Sequence, residues 1–189
     1  TTQQDPSTAE TLIAGSSLTM VDQSDSGCRL QGPALATPMV PGALIAFREY
    51  GDSPWSLVLV RRVKKRLAGR RVEIGAEYLG MNPRWVVIVV LDSDAKPGKG
   101  AESESQPFAG LYLPESHDHP VLPMKTLVLP TCGLSPGDRV SVRSRKSVYT
   151  VGLKEPLEEQ ADFVWSPFEV LDRWMKNEAA ASDTAAVNP

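Results

Sequence analysis

Apolar and polar residues alternate with period two through most of the chain between Ser17 and Val170, in short runs broken by Gly, Pro, Asn and Asp. Such alternation marks strands with one face buried and one face wet. The first runs are 17–22 (SLTMVD) and 28–31 (CRLQ), flanking a tight polar turn. Next come 43–50 (ALIAFREY) and 55–65 (WSLVLVRRVKK), joined through Gly-Asp-Ser-Pro as a hairpin would be. Runs 71–80 and 84–92 follow, the second entered through Asn-Pro. Beyond residue 106 the pattern resumes at 108–114, 125–130, 139–144, 147–153 and 161–170, with a turn cluster at 133–138. One segment breaks the rule. In Pro167–Lys176, Phe168, Leu171, Trp174 and Met175 fall at helical spacing, which predicts a short C-terminal helix. The expected fold is therefore mainly β.

The soft segments set the expected boundaries. Residues 1–16 are small and polar and read as a flexible entry, and 177–189 are Ala-rich and read as a disordered tail. Residues 93–106 combine charge, Gly and Ser and read as a mobile loop or linker. An antiparallel barrel is expected over 17–92, and a second antiparallel β unit with the short helix over 107–176. The most apolar stretch, 86–91 (VVIVVL), is far too short to cross a bilayer and reads as a buried strand, so no membrane insertion is expected. The chain begins at Thr1 with no charged and then apolar leader in residues 1–11, so a fragment or processed product is expected. A net charge of −3 gives no global basic field, which makes nucleic acid an unlikely partner. Two cysteines, Cys28 and Cys132, make neither a disulfide framework nor a four-ligand zinc site, and suit a reducing cytoplasm. Both are expected to pack as small apolar residues, and the four tryptophans to be mostly core.

The turn between the first two runs carries the main chemical signal. Asp22, Ser24 and Gly27 form an Asp-x-Ser-x-x-Gly pattern between two strands. Asp22 can accept from a base N–H, and Ser24 can meet a base edge or a phosphate. Gly27 is free to take a positive φ or to let a planar ligand reach the backbone. The pattern resembles the Asp/Asn-x-Ser-x-x-Gly motif of PilZ domains, bacterial receptors for cyclic di-GMP built on a six-stranded barrel. The similarity continues through the Gly42-led strand, the long strand from Trp55 to Val63 and residues 72–78 (VEIGAEY), covering roughly 17–80. It implies a cytoplasmic, non-catalytic signalling domain with cyclic di-GMP as ligand and a protein partner as readout, and no other cofactor. PilZ receptors also carry an Arg-x-x-x-Arg arm before the first strand, and residues 1–21 contain neither Arg nor Lys. Either the arm lies upstream of Thr1, or the barrel is a degenerate PilZ module that binds a protein instead.

A second signal is the cluster Arg61, Arg62, Lys64, Lys65, Arg66, Arg70 and Arg71. Simple alternation puts Arg62 and Lys64 on one face of the strand and Arg61 and Lys65 on the other. Arg61 and Arg62 are the candidates to hold ligand phosphates; the plainer reading is a solvated hairpin that protects a strand edge. An RNA-binding barrel is the third reading, weakened because no aromatic lies between Trp55 and Tyr78 to stack a base. His117-Asp118-His119 reads as a loop rather than a metal site. No nucleophile elbow, P-loop or dinucleotide fingerprint is present, and no enzyme activity is expected.

Overall fold

The structure is a computed structural model that describes residues 18–34, 39–48, 53–66, 70–91, 106–115, 124–144 and 147–175, the last two by backbone alone. All regular structure among them is strand. In chain order these are β1 (Thr19–Gln23), β2 (Gly27–Pro33), β3 (Leu44–Phe47), β4 (Ser56–Arg66), β5 (Arg71–Met81), β6 (Arg84–Leu91), β7 (Phe108–Leu113), β8 (Thr126–Pro130), β9 (Arg139–Arg143), β10 (Ser147–Leu153), β11 (Glu158–Glu159) and β12 (Phe163–Met175). The chain divides into two compact units, residues 1–48 with 56–79, and 49–55 with 80–189.

The first unit is a five-stranded half-barrel with strand order β1-β2-β5-β4-β3. The period-two pattern decides which face is its core. Cys28 and Leu30 of β2, Val58 and Val60 of β4, and Val72, Ile74, Ala76 and Tyr78 of β5 point inward and pack as one cluster with Ile45. The hairpin expected around Gly-Asp-Ser-Pro is present, with Phe47 opposite Ser56 and Leu44 opposite Leu59.

The second unit has strand order β10-β9-β6-β7-β8-β12-β11, and a further pairing of β10 with β12 closes six of these strands into an antiparallel barrel. Val86, Ile88, Leu127, Leu129, Val140, Val142, Val151 and Leu153 fill its interior. β6 therefore belongs here, bonded to β7 and β9, and the boundary falls after Leu79 rather than after residue 92. The expected linker joins β6 to β7, two neighbours of one sheet; all of it but Gln106 lies outside the described residues, as do the entry 1–16 and the tail 177–189.

The C-terminal helix is corrected to strand. Residues 163–167 of β12 pair with β8, and 168–175 pair with β10. The register slips where Asp172 faces Thr150 and Val170 faces Val151, leaving Leu171 as the extra residue of a bulge. One inserted residue shifts the alternation by one, so apolar positions three apart imitate a helical face. Two further expectations change. Trp85 is 69% exposed and Trp55 is also exposed, whereas Trp165 is buried and donates its indole N–H to Thr126 Oγ1 at 2.9 Å. Cys28 is buried, but Cys132 lies at the surface.

Candidate functional site

The two-residue periodicity of β1 is broken on purpose just before the motif. Met20 faces Leu30 and Asp22 faces Arg29, so Val21 is an unpaired bulge residue. Leu18 and Met20 pack against the core, and without the bulge Asp22 would follow them inward. The slip turns its carboxylate to the outer face, opposite Arg29, with a separation of 3.5 Å and both side chains well exposed. An ion pair so exposed contributes about 0–1 kcal/mol, so the pair is free to exchange partners at little cost. Arg29 is less comfortable: its Nε is buried without a hydrogen-bond partner.

The turn itself is tied down by its own backbone. Ser24 N–H donates to the Gly27 carbonyl at 2.8 Å, the Ser24 hydroxyl reaches the same oxygen at 3.3 Å, and Tyr78 N–H donates to Ser26 at 2.9 Å. Gln23, turned inward by the same slip, donates from Nε2 to the Tyr78 hydroxyl at 3.0 Å. Tyr78 also hydrogen-bonds the thiol of Cys28, whose pKa burial nevertheless pushes up from its ordinary value.

Gly27 has a structural reason of its own. It is not among the residues with positive φ. It pairs with Glu77, and a Cβ there would stand 2.4 Å from the Ala76 carbonyl oxygen. The glycine lets β2 close onto β5; ligand access is not needed to explain it.

On the outer face, cross-strand register assembles the expected residues in two adjacent rows. One runs Asp22, Arg29, Gly75, Arg62 across β1, β2, β5 and β4: Arg29 faces Gly75, and the Arg62 side chain lies 3.7–3.8 Å from where a Gly75 Cβ would be. The other runs Gly27, Glu77, Arg61, with Arg61 Nε donating to Glu77 Oε2 at 2.6 Å. At about 4.8 Å per strand, the first row spans roughly 14 Å. The Arg62 side chain therefore lies over Gly75, in ordinary contact with the space a Cβ would take. Arg61 and Arg62 thus share a face, contrary to simple alternation. Val60 and Val63 both pack on the core, and an inward spacing of three leaves both arginines outside, as a bulge does.

Sequence reasoning missed the acidic partners. Glu73, with its side chain only 11% exposed, stands 3.2 Å from Arg66 and 4.0 Å from Arg62. The alternation Val72-Glu-Ile-Gly-Ala-Glu-Tyr carried the signal, since Glu73, Gly75 and Glu77 must share the outer face of β5. Arg29 could have been found from the hairpin register around the turn. Even so, residues 18–79 keep nine Lys/Arg against six Asp/Glu, whereas 80–189 have eleven against fifteen. The half-barrel is the basic part of an acidic chain. His117-Asp118-His119 lies outside the described residues, among which no group of His, Cys, Asp and Glu could hold a metal. No helix among them is long and apolar enough to cross a membrane. In comparisons with protein-family models, curated proteins and solved structures, the chain matches none.

Proposed function

We propose that the half-barrel is a PilZ-type, non-catalytic effector or adaptor domain that responds to cyclic di-GMP on its outer face. The observation that carries this reading is the bulge at Val21, which turns Asp22 outward onto the same row as Arg29, Gly75 and Arg62. A carboxylate can accept from a guanine edge, and the guanidinium groups of Arg29 and Arg62 on the same row can meet phosphate. Ser24 holds the turn that presents Asp22, and Arg61 stands one row away.

A second reading is favoured by the pairs already made. Arg61 is engaged by Glu77, and Glu73 lies between Arg62 and Arg66, so a phosphate must displace carboxylates to reach them. On that reading the barrel is a protein-interaction module without nucleotide.

Calorimetric titration with cyclic di-GMP separates the two. Residues 1–21 offer no Arg or Lys, so residues 1–189 alone forgo charge-assisted bonds worth about 1.5–3 kcal/mol each, and affinity near the millimolar range is expected of them rather than micromolar. Asp22→Ala should abolish that binding while leaving the melting transition in place. No heat at millimolar ligand, in wild type or with such an arm supplied, would leave the interaction module as the function.

A further inference from the structure

β4 is far longer than its neighbour β3. The hydrogen bonds between Val60 and Ala43 and between Gly42 and Val60 are where β3 stops covering it. From Arg62 to Arg66, β4 has β5 on one side, and among the described residues no strand pairs with the other. Among the described residues, then, this stretch is a sheet edge that offers its main chain to another strand.

Its side chains say which strand fits. Arg62 and Arg66 both reach Glu73 on the outer face, so Lys64 between them shares that face. Three cations thus recur at every second residue, about 6.8 Å apart, the repeat of side chains along an extended partner. Glu73 is the only acidic residue that the described contacts place among them. A second copy of this edge would set cation against cation and is repelled. A polynucleotide gains nothing from a chain of net charge −3 that has no aromatic residue between Trp55 and Tyr78 to stack a base.

We propose that the Arg62–Arg66 edge of β4 takes up an extended, acidic segment of a partner protein by strand addition, with carboxylates at alternate positions opposite Arg62, Lys64 and Arg66. Val63, half-buried at the core margin, gives the added strand an apolar contact on the other face. The site does not depend on nucleotide binding at Asp22.

The test uses the full chain and a short labelled peptide alternating glutamate and valine. Anisotropy should show saturable binding that weakens with salt. Hydrogen exchange should slow at amides within Val63–Arg66 and stay unchanged at the 22–27 turn. Lys64→Glu and Arg66→Gln should each weaken binding by about threefold to tenfold, with circular dichroism confirming that both variants fold. The proposal is overturned if millimolar peptide fails to bind, if both variants bind as wild type does, or if no β4 amide gains protection. An oligouridylate of equal charge binding as tightly as the peptide would overturn it too. Lys64 lies outside the two rows assigned to cyclic di-GMP, so either activity can fail while the other persists.

Discussion

The sheet of the second unit closes on itself through the pairing of β10 with β12, whereas the sheet of the first ends in β1 on one side and β3 on the other. Closure satisfies the main chain internally, and the interior of that barrel is a single aliphatic cluster. The half-barrel leaves edges and compensates with charge: its outer face holds Asp22, Arg29, Arg61, Arg62, Arg66, Glu73 and Glu77 in paired rows. Both units hold the same kind of core, so packing alone does not distinguish them. What differs is what the remaining face can do. Exposed ion pairs are weak and exchangeable, which makes the open sheet the place where an anion or an acidic strand can compete for arginines.

That comparison is most strongly tested where each sheet is tightest. Leu127, fully buried in the closed barrel, should cost about 2–5 kcal/mol when cut to Ala, read from the urea midpoint. A loss under about 1 kcal/mol would mean that the closed barrel is not packed as described. In the half-barrel the sharpest constraint is Gly27. Gly27→Ala drives a methyl into the Ala76 carbonyl and should cost about 1–3 kcal/mol, as overpacking does. Wild-type stability in that variant would remove the sheet-closure role and return the glycine to ligand access.

A smaller effect belongs to Cys28. Burial, partly offset by the bond to Tyr78, raises its pKa above the ordinary thiol value in the folded chain. The unfolded thiol therefore ionises first, so this contribution to stability is whole below the ordinary thiol value of about 8.5 and declines as pH rises from there through the folded value. Urea midpoints should fall between pH 8 and 10, and less steeply in Cys28→Ala. An identical slope in both would show that the thiol is solvated after all.

Local patterns made most of the strands legible, because period-two alternation is imposed by the pleat itself. Partners were less so. The run 84–92 reads as a buried strand from composition, but whether β6 bonds to β5 or to β9 depends on contacts far apart in sequence. Bulges account for the other errors. One extra residue at Leu171 imitated a helix, and the inward spacing from Val60 to Val63 put Arg61 and Arg62 on one face. The same device at Val21 turned Asp22 outward, so the motif was readable while its row of neighbours was not. β11 is two residues long and carries no periodic signal at all.

The central claim, that the outer face of the half-barrel is the responsive surface, is tested most directly by amide NMR during titration with cyclic di-GMP. The account predicts shifts confined to Asp22–Arg29, Glu73–Glu77 and Arg61–Arg62, and their loss in Gly75→Val. That substitution puts a branched side chain beneath Arg62 on the row that Asp22 and Arg29 share, its Cβ at ordinary contact distances from Arg62. Shifts clustered on β8 to β12, or a Gly75→Val protein that responds as wild type does, would contradict it.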